Sequence, residues 1–246
     1  MNESQIEARI VELFPKEANR ILEIFDKKKL NLFYKFLNEY NEVGGFFSKA
    51  DSEFILDRHL IESIYHVFVI WKEGFLKANL KLADVGSGPG LPGYIFFCLN
   101  EAPQVTLIDS QKRRLGILEK FHRENFKDSN VHFIYERVES IQNKFDLVTM
   151  RSTIKYPWSV EMTEKLLKMN SIFIPFLGKK VYDLEFEKNM LENLGIVLEK
   201  DIELDELEFL GKRHLKILKK VSNAKKNFPR SWEVISKEIK RTSWEK

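Results

Sequence analysis

Apolar residues recur at two spacings along this chain, and the switch between them marks its main division. Up to about residue 40 the spacing is helical. Ile6, Ile10, Leu13 and Phe14 form one run, Ile21, Leu22, Ile24 and Phe25 a second, and Leu32, Phe33, Phe36 and Leu37 a third. Pro15 and Lys16 break the first run, and Gly44-Gly45 marks a turn. A further helical stretch runs from 57 to about 77, with Leu60, Ile61, Ile64, Val67, Phe68 and Trp71 on its apolar face. These helices read as a cap on the domain C-terminal to them, with His59 a polar core residue.

From residue 80 the pattern becomes short apolar runs alternating with helical ones. Strands are expected at 82–85, 105–108, 131–135, 145–150 and 172–177. Helices are expected at 112–125, 158–169 and 185–194, and a closing antiparallel pair at 197–204 and 214–219. Strand–helix alternation implies an α/β fold with a mostly parallel sheet. Pro175 lacks an N–H for a ladder, so a bulge is expected near it. The chain divides into a helical extension (1–78), a core (79–222) and a C-terminal tail (223–246).

Composition narrows the class. Hydrophobic residues make up 43% and charged residues 31%, as in a soluble globular protein. No apolar run is long enough to span a bilayer, and the polar opening residues do not read as a signal peptide. The single cysteine, Cys98, reads as a core residue, so a reducing, cytoplasmic setting is expected. One cysteine and five histidines at scattered positions suggest no metal site. The net charge of +3 hides an asymmetry: residues 211–246 carry 12 Lys and Arg against 3 Asp and Glu. A basic end on an otherwise slightly acidic chain suits a polyanionic partner, or is a solvated tail.

The chemistry concentrates in Leu82-Ala83-Asp84-Val85-Gly86-Ser87-Gly88-Pro89-Gly90-Leu91-Pro92-Gly93. An apolar strand runs into three alternating glycines, which let the backbone turn sharply and approach a ligand. Pro92 suits the first turn of a following helix, whose N-terminus would favour polar or anionic groups. A dinucleotide loop needs glycine at the sixth position from Gly86, where Leu91 stands, and no Gly-Lys-Ser/Thr ending is present. The Asp-x-Gly-x-Gly-x-Gly form resembles instead the first motif of Rossmann-like S-adenosylmethionine (SAM) methyltransferases.

Asp109 ends the second strand, 19 residues beyond Gly90. There a carboxylate accepts the two hydroxyls of a ribose, or caps the next helix, a task Ser110 also suits. The third strand exits at Glu136-Arg137-Val138-Glu139 and the fourth at Arg151, both at the rim where such sheets bind ligands. Arg151 suits a carboxylate or phosphate, or a surface ion pair.

Further residues sharpen the resemblance. Arg58-His59-Leu60-Ile61-Glu62-Ser63, Leu107-Ile108-Asp109-Ser110 with Lys112-Arg113, Arg137-Val138-Glu139, Arg151, Arg213-His214-Leu215 and Phe228-Pro229-Arg230 occur in order. With the glycine loop, they resemble the bacterial 16S rRNA 7-methylguanosine methyltransferases of the glucose-inhibited division protein B type, over roughly residues 30 to 230. The resemblance implies SAM as cofactor, with Asp84, Gly86, Gly88, Gly90, Leu91, Asp109, Val138, Glu139 and Arg151 around it. It implies methyl transfer to a guanine in 16S rRNA or the small ribosomal subunit, by a monomer away from membranes. RNA-facing residues would be Arg137, Lys179, Arg213, Lys225, Lys226 and Arg230. No side chain is singled out as catalytic. Phe176, Tyr156 and Trp158 are candidates to stack on the base or simply to pack.

The chain departs from the family at three places. Gly45-Phe46-Phe47 follows Tyr40-Asn41 where the family has an Asn-Leu-Thr element. Glu62 replaces an aspartate, and Leu177 stands at a family lysine whose role Lys179 or Lys180 would take. The competing readings are a SAM methyltransferase of another RNA, a protein or a small molecule, and a non-catalytic SAM- or RNA-binding module.

Overall fold

The computed structural model describes residues 4–77, 79–127, 130–178 and 183–242. The strands are β1 (Lys81–Val85), β2 (Gln104–Ile108), β3 (Val131–Ile134), β4 (Phe145–Arg151), β5 (Leu167–Leu177), β6 (Ile196–Glu203) and β7 (His214–Lys220). Among the described residues these seven form one mixed sheet in the order β3-β2-β1-β4-β5-β7-β6. The α/β fold is the one the alternation predicts. No helix among the described residues is long and apolar enough to cross a membrane. The chain clusters into two compact units, Met1–Leu80 with Ser87–Tyr135, and Lys81–Gly86 with Glu136–Lys246.

The first unit holds the helices α1 (Gln5–Leu13), α2 (Ala18–Ile24), α3 (Lys27–Gly44), α4 (Glu62–Lys72), α5 (Gly93–Phe97) and α6 (Lys112–Asn125), with β2 and β3 paired in parallel. Asp26 starts α3 by accepting the backbone N–H groups of Lys28 and Lys29. The stripe Leu30, Phe33, Phe36 and Leu37 then turns inward. Phe36 stacks on Phe121 at 4.3 Å, and Phe33 meets Tyr94 at 4.6 Å. These aromatic contacts fix α3 against α5 and α6.

The helical stretch expected from 57 starts two residues earlier, as a π-helix over Ile55–Ile61, and α4 ends at Lys72 rather than 77. Asp57 in that wide turn holds Arg9 of α1 through two hydrogen bonds of 2.9 and 2.8 Å. α4 is buried on all sides from Glu62 to Ile70, not along one stripe, which fits its nearly continuous apolar sequence.

In the second unit β1 lies parallel to β4 and β4 to β5, while β7 runs antiparallel to both β5 and β6. Helix α7 (Trp158–Thr163) passes into a short 3-10 turn, and β5 begins at Leu167, so the helix expected to 169 stops at 166. The expected bulge at Pro175 is absent. Pro175 stays in register with Met150, and pairing with β7 passes from Phe173–Leu218 to Phe176–Leu215 at constant register. The missing N–H is absorbed as a skipped rung, and the β4–β5 irregularity lies between Phe145 and Leu147 instead.

Two charges are drawn into this core. Lys216 and Lys220 of β7 are 2% and 4% exposed. Lys216 Nζ meets Glu187 of α8 (Leu184–Leu194) at 2.5 Å, and Lys220 Nζ meets Glu164 at 2.5 Å. Tyr156 donates its hydroxyl to the same Glu187 oxygen. Such pairs hold elements in one arrangement because a lone buried charge is strongly unfavourable. The chain then continues into α9 (Trp232–Arg241), so much of the expected tail is helix.

His122 of α6 gives the first unit a pH response. It is buried, and its Nδ1 lies 2.8 Å from the hydroxyl of Tyr94, which burial keeps protonated. Burial, aided by the charge of Arg123, lowers the imidazole from 6.5 to about 4. The folded state thus favours the neutral ring. Its stabilisation is complete above pH 6.5 and is lost as pH falls towards 4. Denaturant melts are expected to show His122→Gln losing about 3 kcal/mol less than the wild type over that interval. Equal losses in both proteins would contradict this assignment.

Candidate functional site

In the first unit the glycine loop is bonded to the end of β2. Buried Ser87 donates its N–H to the Ile108 carbonyl at 3.1 Å, and its Oγ accepts the Ile108 N–H at 3.2 Å. One residue later the Gly88 N–H donates to Asp109 Oδ2 at 2.9 Å. The other oxygen, Asp109 Oδ1, accepts the Gln111 N–H at 2.8 Å and so opens the turn into α6. Asp109 therefore fixes the loop and starts the helix together. A carboxylate oxygen has two lone pairs, so each oxygen keeps acceptor capacity for a hydroxyl.

The glycines serve different ends. Gly88 has φ +53, and no heavy atom lies within 4 Å of where a Cβ would stand. The loop is open at that point. At Gly90 a Cβ would stand 2.7 Å from Leu118 Cδ2, so that glycine lets α6 pack closely. Leu91 is buried, and its N–H returns to the Ser87 carbonyl at 3.1 Å. The helix that follows has only five residues. Its dipole adds little, and the N–H groups of Ser87, Gly88 and Leu91 are already engaged within the unit.

In the second unit Asp84 is fully buried near the C-terminal end of β1 and accepts the Thr149 hydroxyl at 2.9 Å. Gly86 has φ +75, and a Cβ there would stand 1.9 Å from Thr153 Oγ1. The Thr153 hydroxyl in turn reaches the Arg151 carbonyl at 3.2 Å. Arg151 ends β4 and is half-buried. Val138 and Glu139 lie in a 3-10 turn, with Glu139 paired to exposed Arg137 at 3.4 Å. Half-buried Arg213 bonds the Lys212 carbonyl.

The residues expected to face RNA fall into separate groups. Lys225 and Lys226 are exposed, and Lys225 Nζ bonds Asn193 Oδ1 at 3.1 Å. Arg230 is committed within the chain. Its Nε and Nη2 reach Glu161 at 2.9 and 2.8 Å, and Nη2 also reaches Glu238 at 2.8 Å. These bonds, those to Glu161 first, raise the guanidinium further above its ordinary value. Arg230 therefore anchors its segment to α7 and α9. Lys179 and Lys180 lie outside the described residues. Among the described residues no group of three or more His, Cys, Asp and Glu is placed to hold a metal.

Comparison with known proteins decides the family. The profile for rRNA small subunit methyltransferase G matches residues 26–220. The chain belongs to that family. It is 49% identical over 232 residues to the ribosomal RNA small subunit methyltransferase G of Leptospira interrogans serovar copenhageni, covering 94% of this chain and 91% of that protein. The enzyme of that name from Leptospira biflexa is 47% identical over 242 residues, 97% of this chain and 96% of its own. Among solved structures, magnesium protoporphyrin IX methyltransferase from Synechocystis, with bound SAM, covers 76% of this chain and 97% of its own at TM-score 0.54. At 12% identity that likeness shows the fold alone. This family member is a SAM-dependent methyltransferase with a Rossmann-like α/β fold.

The residues present fit SAM. The loop is open at Gly88, its N–H groups are held in place, and Asp109 retains acceptor capacity. Sequence reasoning missed Thr149 and Thr153, which hold Asp84 and fill the space left by Gly86. Nothing in the spacing marks either one. The two glycines are expected to fail differently when changed. Gly88→Ala should lower stability by only about 1–2 kcal/mol, from its left-handed backbone, yet weaken SAM binding at least tenfold by calorimetry. Gly86→Ala should unfold the protein more readily, and Thr153→Gly should partly restore its melting temperature. Wild-type SAM affinity in Gly88→Ala would refute the placement of the ligand.

Proposed function

We propose that this enzyme methylates nitrogen 7 of a guanine in 16S rRNA, acting as a monomer in the cytoplasm. The observation that carries the reading is the open glycine loop pinned by Asp109, in a chain of the rRNA small subunit methyltransferase G family. In this reading the N-terminal extension (1–78), core (79–222) and C-terminal segment (223–246) act as support, SAM site and RNA-facing end.

Each site residue then has a task. Asp109 accepts the ribose hydroxyls with the lone pairs left by Gly88 and Gln111. Gly86 and Leu91 line the methionine end, and the backbone at Val138-Glu139 meets the adenine. Asp84, held by Thr149, fixes the strand that delivers the loop. Arg151 stands beside the ligand and the incoming RNA. Arg137, Arg213, Lys225 and Lys226 offset phosphate charge.

When bound, SAM supplies an electrophilic methyl group on a sulfonium. Guanine nitrogen 7 offers an in-plane lone pair and carries no proton, so no general base is required. The protein's work is to align the base with the methyl group and to exclude water. An RNA base is reached most readily where it is unstacked or in a loop. Tyr156 and Trp158 are buried and bonded to Glu187 and Glu238, so in this reading they support the site and do not stack on the base.

The direct test is transfer of labelled methyl from SAM to 16S rRNA and to small subunits from a strain lacking this gene, with 7-methylguanosine mapped afterwards. One 7-methylguanosine in 16S rRNA is expected. Label that enters only another RNA, a protein or a small molecule would reject the target while keeping the chemistry. No transfer to any of them would reject the reading.

A further inference from the structure

Residues 221–246 lie beyond the stretch that the family profile matches, yet the structure fixes much of them. Glu161 of α7 is fully buried. It accepts the backbone N–H of Arg230 at 2.7 Å as well as the guanidinium. The same guanidinium reaches Glu238 of α9, which also accepts the Trp158 indole N–H at 2.7 Å. Ile235, one turn before Glu238, is fully buried. One side of α9 is therefore taken up by the protein's own core.

The opposite side is basic. Lys237, Lys240 and Arg241 stand at i, i+3 and i+4, which places them together on a helix surface. All three are exposed, and among the described residues no ion pair involves them. Glu233 is the one acid of α9 on that side, since Glu238 faces the clasp. Ile235 is buried and Glu238 is engaged in the clasp, so this side of the helix is not free to lie in a membrane surface. A fixed row of three cations beside a single acid suits a polyanion met at a set orientation.

We propose that the Lys237, Lys240 and Arg241 face of α9 is a phosphate-docking rail for 16S rRNA, held at a fixed angle by the Glu161–Arg230–Glu238 clasp. The proposal rests on the reading of 16S rRNA as substrate. It assigns the basic chain end two separate jobs, with Arg230 as the positioning residue and the three outward cations as the contacts. A single-stranded phosphate contact contributes a slope of about 0.7 to the dependence of log affinity on log salt.

The test uses the full chain and purified 16S rRNA. The variant K237Q/K240Q/R241Q is expected to bind that RNA at least tenfold more weakly at low salt. Its salt slope should be shallower by about 2, with SAM affinity unchanged. Glu233→Lys, which adds a cation to the same face, should tighten RNA binding and steepen the slope. It reports even if the triple variant folds poorly. Wild-type RNA affinity and slope in both variants would overturn the rail. Unchanged binding to 16S rRNA with weakened binding to whole subunits would also overturn it, by assigning the face to a ribosomal protein. Failure of the wild type to methylate 16S rRNA would instead sink the substrate reading, whatever the variants do.

Discussion

The site depends on one carboxylate. Asp109 holds the Gly88 N–H with one oxygen and the Gln111 N–H with the other, so one side chain sets both the loop and the start of α6. Ser87 and Ile108 exchange two further hydrogen bonds beside it. A glycine loop has wide conformational freedom, and ordering it on binding would offset much of the affinity gained. These bonds order it beforehand. The same geometry leaves the loop open at Gly88, so rigidity and access are reconciled at one place.

The second unit solves a different problem. Its strand β7 carries lysines inward, and each finds a carboxylate on a separate element: Lys216 on α8 and Lys220 on the turn after α7. The Arg230 clasp extends that pattern to the chain end, with Glu161 fully buried beneath it. Burial alone would raise Glu238, but its hydrogen bonds from Arg230 and Trp158 more than offset this and hold it below the ordinary carboxylate value. Three cations and their carboxylates thus join α7, α8, α9 and β7. Hydrophobic contact alone is non-directional and would leave more freedom in how these elements meet.

What was legible in the sequence was whatever depends on local order. The strand–helix alternation gave the fold, and the spacing of Gly86, Gly88 and Gly90 excluded a dinucleotide loop. Asp109 stands out in the sequence by its distance from that loop, and its bond to the Gln111 N–H is the helix-starting task that the sequence also suggests. The omissions have long-range causes. The pairings of Lys216, Lys220 and Arg230 leave no local signal because their partners Glu187, Glu164 and Glu161 are 29, 56 and 69 residues away. Thr153 escaped notice because its role is to occupy the space of an absent β-carbon at Gly86. The π-helix at Ile55–Ile61 carries no periodic signal, since one extra residue in a turn only shifts an apolar stripe.

The most direct measurement is SAM binding by calorimetry to Asp109→Asn, paired with its melting curve. An asparagine keeps one acceptor oxygen, so it cannot hold Gly88 and Gln111 as the two carboxylate oxygens do while also serving a ribose. The account predicts SAM affinity at least tenfold weaker, with a melting temperature only a few degrees lower. Wild-type affinity in that variant would contradict the claim that Asp109 both sets the loop and receives the ligand.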